Sequence, residues 1–476
     1  MRILAIDQGT SSTKALVVED GIVVSQASVP VRPAYLSDGR VEQDPQELLH
    51  SVIQAGSSAM AASGPVDAVA LANQGETVLA WDRATGQPLS TAIVWQDGRA
   101  ADICAELSEH AEWIARRTGL VLDPYFSAPK QAWIRRNLTD QGVVTTTDTW
   151  LIHALTGEFV TDASTASRSL LMDIDSGNWD LELLSVFGLQ DELLPRIAAC
   201  DEYIGMTTAF GAPVPLHALM VDQQAALLAQ DCRTVGQTKC TYGTGAFLLT
   251  AAGSTAPRSR HGLTTSIAAR LRGETSYCLD GQVFTAGSAM RWLTDLGVVA
   301  DLHAMLATAD PDGSEDLLFV PALAGLGAPW WRSDAKASFI GLTLSTTRDD
   351  LVRAVLRGIA AQVVDVVSIA GDDVGERPRV LRVDGGLANS AAFMQMQSDL
   401  AQVPVEVYPS PDATALGVAA AAVIGIDQNR SIESVVAAWT PAAYYEPRWS
   451  PERANEYVDR WRAAVRTSIR PQQEER

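Results

Sequence analysis

The chain has 476 residues, 47% of them hydrophobic, which is length for two or three domains at roughly 100–200 residues each and too apolar for disorder. Its 36 Lys and Arg stand against 57 Asp and Glu, a formal charge of −21, which excludes the basic face of a nucleic-acid binder. Five dispersed cysteines with no C-x-x-C pair exclude a disulfide framework or a zinc site. No signal-peptide pattern precedes the first apolar run, and no run approaches the ~20 residues of a membrane span. The expectation is therefore a soluble, cytoplasmic protein with no nucleic-acid or membrane partner.

Residues 2–6 read as an apolar, β-branched strand, followed after a Gly-Thr-Ser-Ser turn by strands over 13–18 and 21–31. A helix is expected from Asp44 to about Met60, with Pro45 at its first position and Leu48, Leu49, Val52 and Ile53 on one face. Residues 66–71 form a short buried strand. Helical stretches follow over 101–118, 130–137 and 147–154.

A similar order returns in the second half. Strands over 238–242 and 246–251 flank a Gly-Thr-Gly turn, and strands over 264–269 and 276–279 and a helix over 288–296 follow. A long helix covers 349–366, and a strand over 380–383 stops at Asp384-Gly385-Gly386 before a helix near 389–400. Residues 451–468 read as a packing helix and 472–476 as a frayed tail. The pattern is a duplicated βββα unit, with a domain of residues 1–232 and a second of 233–476.

With no large positive field available, phosphate binding would rest on local backbone donors and a metal. Asp7-Gln8-Gly9-Thr10-Ser11-Ser12-Thr13-Lys14 can aim N–H and hydroxyl donors at phosphate oxygens while Asp7 holds a hydrated cation, and it also suits an ordinary hairpin. Tyr242-Gly243-Thr244-Gly245 is a second such turn, and Asp384-Gly385-Gly386 opens a helix toward a phosphate or adenosine. Three Gly-bearing turns at equivalent places of a duplicated unit favour the ligand reading. No G-x-x-x-x-G-K-[ST] occurs, which excludes a P-loop NTPase, and no G-x-G-x-x-G opens the first unit. Asp222, delivered by an apolar stretch to the start of a helix, suits either an N-cap or a general base.

Taken together, IDQGTSSTK, ANQGETVLAWD, AIVWQDGR, GLVLDPYFSAPKQAW, DTWLIHALTGEFVTDASTASR, VDQQAALLAQ, TYGTGAF, FVPALAGLGAPWW, LRVDGGLANSAAFMQMQSD and TALGVAAAA resemble the FGGY carbohydrate kinases, and their glycerol-kinase branch most. The resemblance implies an α/β chain of two actin-like, ribonuclease-H-like domains with a nucleotide cleft between them. It implies transfer of the ATP γ-phosphoryl group, with Mg²⁺, to a hydroxyl of a small polyol or sugar. Asp222 would be the general base, and Asp7 would organise the metal and the transferring phosphate. Thr10, Ser11, Ser12 and Lys14 would form the first phosphate hairpin, with Thr244, Gly287, Arg291, Gly386 and Ser390 lining the nucleotide site. Gly75, Glu76, Trp95, Tyr125, Gln223 and Phe247 would join Asp222 around the acceptor. Family members form dimers or tetramers, which implies a possible homodimer or homotetramer.

Departures bear on the substrate. Gly75 replaces an Arg that donates to glycerol hydroxyls in the glycerol-kinase branch, and its loss removes a charge-assisted fork and empties space. The expectation is a longer acceptor, a four- or five-carbon polyol or ketose. The alternatives are glycerol itself, or a pentulose as in xylulokinase or ribulokinase. Arg291 stands for a Gln, Val221 for the Gly before the base, and Arg357 for an acid. A nucleotide-driven chaperone or filament on the same fold would not need Glu76, Trp95, Tyr125 and Asp222 as a converging set.

Overall fold

The computed structural model describes residues 1–36, 39–301, 305–306, 310–332, 334–436 and 438–469. Residues 472–476, read above as a frayed tail, lie outside the described residues.

Strand Arg2–Gln8 sits inside the first sheet because Ile3, Leu4, Ala5 and Ile6 are all apolar and all buried, the pattern of a strand covered on both faces. The sheet runs Tyr203–Thr207, Val214–Val221, Ala68–Asn73, Arg2–Gln8, Ser12–Glu19, Ile22–Pro30. Its three central strands are parallel and the outer ones antiparallel. Helix Pro45–Ser63 covers one face. Asp44 caps it by accepting from the Gln46 N–H at 2.8 Å, and Leu48, Val52, Ala55 and Ala59 pack on Leu4, Ile6, Ala15 and Val17.

The opposite face, with Ile3, Ala5, Leu16 and Val18, is covered by helix Ala413–Ile426 from near the end of the chain. That helix also lies against helix Asp222–Ala229, and their closeness depends on missing side chains. A Cβ at Gly417 would stand 1.8 Å from the Ala225 carbonyl oxygen, and one at Gly425 would stand 1.9 Å from that of Asp201. The second half of the sequence thus completes the core of the first.

The second sheet runs Thr264–Leu271, Glu274–Val283, Ala246–Gly253, Thr238–Tyr242, Leu381–Asp384, Val405–Val407, Ala443–Tyr445, again with a parallel centre. The duplication is real, and strand Glu274–Val283 pairs with the hairpin while Thr264–Leu271 lies outside it. The helix packed across this sheet is Arg348–Val374, not 288–296, because helix Gly287–Asp295 is held elsewhere, on the turn of the second hairpin. Arg348–Val374 is long and apolar enough by composition to cross a membrane, and 89% of its most apolar window is buried in the core. The helix expected over 101–118 is broken into Ala101–Glu106 and Ala111–Thr118 by a 3-10 turn, in which the His110 N–H reaches back to Leu107. A smaller five-stranded sheet, Ala34–Tyr35, Val41–Gln43, Ala92–Ile93, Val78–Trp81 and Val143–Thr146, is inserted in the first half and carries its binding loops.

Gly417→Ala drives a methyl into backbone with nowhere to relax. It is expected to cost about 3 kcal/mol and to lower the thermal transition by several degrees in calorimetry, whereas Gly273→Ala, with open space around it, tests only its left-handed backbone.

Candidate active site

The three parallel strands of the first sheet end at the same level. Gln8 pairs with Asn73, and Asn73 with Val221, so Asp7, the loop after Asn73 and Asp222 arrive together by register alone. Asp7 and Asp222 are close enough to disfavour each other's charge. Burial, with Asp222 second, pushes the Asp7 carboxyl up to about 7 against the opposing pull of Lys14. Burial also raises Asp222, opposed by Lys239, by the Gln223 N–H that donates to Asp222 Oδ1 at 2.7 Å, and by Arg168. Asp222 is the first residue of its helix and does not cap it in the usual way, since Val221 holds the capping position. Its side chain is left for the cleft.

Glu76 follows at a left-handed backbone, φ 58°, fixed by the Thr77 N–H donating to the Gly75 carbonyl at 2.7 Å. This geometry turns a buried carboxylate onto Arg168, whose guanidinium also donates to Asp280 Oδ2 at 2.5 Å. All three side chains are about 4% exposed. Arg168 lies 5.7 Å from the centre of the Tyr125 ring. Tyr125 and Phe247 both stand edge-on to Trp95, at 5.6 and 5.7 Å between ring centres, so an aromatic box spans the two halves. Trp95 donates its indole N–H to Thr10 Oγ1 at 2.9 Å, which ties that box to the first hairpin.

The Tyr125 loop is held from below by Lys130. Its buried ammonium donates to the carbonyls of Pro124, Tyr125 and Phe126 at 2.8, 2.5 and 2.7 Å, and burial lowers its pKa to about 8. Gln223 accepts from Lys239 Nζ at 2.6 Å, a contact between the halves that also brings a cation toward Asp222 and Asp384.

Position 75 differs from the sequence expectation. The room beside it is not empty at its root, because a Cβ there would stand 2.9 Å from Val221 Cγ2. Gly75 and Val221 are one steric unit, and the valine methyl takes the place of the first atom of any side chain.

At the hairpin turns, Ser11 is exposed at the first, Ser12 opens the following strand, and the turn closes through the Gly9 N–H and the Ser12 carbonyl at 3.1 Å. Lys14, opposite Asp7 in register, pairs with Asp412 at 3.0 Å. Thr244 is exposed at the second turn, and its carbonyl accepts from Ala286 N–H, Ser288 N–H and the Ser288 hydroxyl. Gly287 is required there, since a Cβ would lie 2.5 Å from the Gly243 carbonyl oxygen. Arg291 and Gly386 are exposed nearby along the chain. Ser390 is buried, caps the helix Ala391–Ala401 through the Phe393 N–H and donates to the Leu306 carbonyl, so its hydroxyl supports the loop and is already engaged. Asp384 lies in the same loop region with Oδ1 buried and unpartnered. Arg357 is a core residue that donates to the carbonyls of Pro311, Gly313 and Ser314.

Sequence reasoning missed Arg168, Asp280, Lys130 and Lys239. Their one signal was a charge within an apolar stretch, as Lys239 in TKCTY and Asp280 in YCLDG.

Residues 2–229 match the model of the FGGY family of carbohydrate kinases, N-terminal domain, and residues 238–426 that of the C-terminal domain. Glycerol kinase 2 of Thermotoga maritima is 40% identical over 98% of both chains, and glycerol kinase of Thermus brockianus is 41% identical over 97% of both. Among solved structures, Plasmodium falciparum glycerol kinase with ADP superimposes with a TM-score of 0.91 at 32% identity, covering 99% of this chain and 98% of that one. Xylulose kinase from Rhodospirillum rubrum gives 0.86 at 25%, covering 98% and 99%. With two buried carboxylates at converging strand ends and both family domains in order, the chain belongs to the FGGY family of carbohydrate kinases, phosphotransferases with an alcohol group as acceptor.

Proposed function

We propose that this chain transfers the γ-phosphoryl group of ATP to a hydroxyl of a small neutral polyol or ketose, with Asp222 as general base. The observation that supports the reading is that Asp222 is near enough to Asp7, Glu76 and Tyr125 to act on the charge of all three. A hydroxyl there meets a carboxylate on one side and the phosphate-binding turn on the other. Asp222 takes the proton as the new P–O bond forms, and burial, which lifts its pKa, makes it a better acceptor than an exposed aspartate. Trp95, Tyr125 and Phe247 would cover the C–H face of the acceptor and keep water from competing.

The residues fit a Mg²⁺ ion. Among the described residues no three His, Cys, Asp or Glu side chains gather into a protein-only cage, which suits a cation held by one carboxylate, water and phosphate oxygens. Asp7 would be that carboxylate: burial first and Asp222 second lift its pKa to about 7, and a cation would offset both. When bound, the ion would neutralise phosphate charge during transfer. Lys14, Ser11, Ser12 and Thr244 would hold the phosphates from the two hairpins, with Gly287, Arg291 and Gly386 beside the nucleotide. Glu76, Asp222 and Asp280 are balanced by Arg168, Lys130 and Lys239 around the acceptor, which leaves no cation over for a substrate carboxylate and favours a neutral substrate.

The similar glycerol kinases make glycerol one acceptor to test. ADP release with Mg-ATP is expected for neutral acceptors from glycerol to xylulose and ribulose and not for gluconate. Asp222→Asn is expected to lower turnover by roughly 10²–10⁴ while ADP binding by calorimetry stays near that of the parent; loss of less than tenfold removes Asp222 as base.

The Gly75–Val221 unit calls for a paired change. Gly75→Arg alone is expected to lose activity on every acceptor, since its Cβ meets Val221. Gly75→Arg with Val221→Gly is expected to raise the kcat/KM ratio of glycerol over xylulose; an unchanged ratio means that position 75 does not touch the acceptor.

Lys130 gives the pH dependence. Below its pKa of about 8 the ammonium has three N–H donors for three carbonyls; above it, two remain. The acceptor KM is expected to rise above pH 8 as the Tyr125 loop loosens. Lys130→Met is expected to raise KM about tenfold and to remove this alkaline rise, as read from KM measured between pH 6 and 9.5.

A further inference from the structure

We propose that Gln282 and Asp280, both from the second half of the chain, form the far wall of the acceptor pocket and accept hydrogen bonds from hydroxyls remote from the reacting one. This makes Gln282 a specificity-determining residue for acceptors longer than three carbons. The inference rests on the phosphotransfer reading above and extends it to the substrate.

Strand register places the two side chains. Gln282 is directly opposite Phe247 on the neighbouring antiparallel strand, so both side chains leave the sheet on the same face. Phe247 is the ring that meets Trp95 across the cleft, which identifies that face as the pocket side. Two residues earlier, Asp280 shares it. Asp280 Oδ2 accepts from Arg168 at 2.5 Å and from Gln282 Nε2 at 2.9 Å. The other oxygens, Asp280 Oδ1 and Gln282 Oε1, are buried with no partner, in side chains 3% and 0% exposed.

Buried acceptors without donors are costly, and this pair is set apart from the other unpartnered amide oxygens, such as those of Gln131 and Gln362, by lying on the Phe247 face beside Arg168, where the hydroxyls of an acceptor would supply donors. The local charge decides which donors. Glu76, Asp280 and Asp222 are balanced by Arg168, Lys130 and Lys239, which leaves no cation over for an anionic group, so a hydroxyl fits and a carboxylate or phosphate does not. The near wall, by contrast, has no polar side chain at position 75 and presents the Val221 methyl. Recognition therefore moves from a donor fork on the first half to an acceptor pair on the second. Arg168 sets the span. Its guanidinium lies between Glu76 and Asp280, so an acceptor held by Asp222 and Glu76 meets Gln282 only beyond Arg168, which favours chains longer than three carbons.

The test compares kcat/KM for glycerol, erythritol and xylulose in the parent, in Gln282→Met, which keeps the volume and removes the acceptor together with the donor to Asp280, and in Gln282→Asn, which withdraws both by one methylene. In Gln282→Met a loss of roughly 10–100-fold is expected on the longest acceptor used, with glycerol turnover within about threefold of the parent and Gln282→Asn between them. Equal losses on all acceptors, or no loss on any, overturn the proposal. ADP binding monitors the fold of each variant, and if Gln282→Met does not bind ADP, Gln282→Asn decides alone by the same criterion. A parent that turns over glycerol but prefers no longer acceptor overturns this inference only. A parent that phosphorylates none of the three overturns the proposed function itself.

Discussion

Arg168 is the cation on which the cleft depends. Its guanidinium lies almost fully buried between Glu76 of the first half and Asp280 of the second, and the two carboxylates hold its proton far more firmly than solvent would. A buried charge of this kind is costly to desolvate and is tolerated only when its partners stay in place, since removing one partner of a buried pair costs about 3–5 kcal/mol. The arrangement therefore fixes where the two halves meet. It also holds Glu76, at its strained backbone, facing the pocket, and sets Tyr125 against the guanidinium face.

A second constraint acts behind the cleft. Helix Ala413–Ile426 has glycines where it touches the backbone of the first half, so the helices Ala413–Ile426 and Asp222–Ala229 sit closer than side chains would permit. Asp222 begins one of these helices and Asp412, partner of Lys14, precedes the other. Packing in the shared core and placement of the Asp222 carboxylate are thus the same structural fact. Any change in the angle between the halves moves Asp222, Lys14 and the Phe247 edge of the aromatic box together, which is a physical basis for coupling domain closure to chemistry.

Much of this was legible in the chain. The three opening strands, the Asp44-Pro45 helix start and the hairpin turn at Gly243–Gly245 are local events, set by apolar alternation and turn chemistry over a few residues. The order of strands in the second sheet was not, because Thr264–Leu271 and Glu274–Val283 read alike and only packing against Arg348–Val374 decides which is inner. Asp222 could be read as a cap or a base until its strand was paired, and the pairing turned it into the cleft. Arg168 and Asp280 were invisible for a related reason. Each is unremarkable alone, and their meaning lies in contacts spanning 92 and 112 residues of chain. Gly75 was read as lost volume, which assumes that neighbours stay constant, whereas Val221 had moved in with it.

These non-local pairings separate two kinds of information in the site. Asp7, Asp222 and the Gly-bearing turns, proposed above for phosphotransfer, sit at strand ends, where the backbone fold dictates position. Glu76, Val221, Asp280 and Gln282, proposed to face the acceptor, are placed by side-chain partnership, and one substitution among them changes what its neighbours can do. The same scaffold can therefore keep its reaction while its acceptor changes. The family supplies the reaction, and on the reading proposed above the Gly75–Val221 unit and the Asp280–Gln282 acceptors would set what enters: an apolar near wall would remove a donor fork, and an acceptor-rich far wall would reward hydroxyls that reach across.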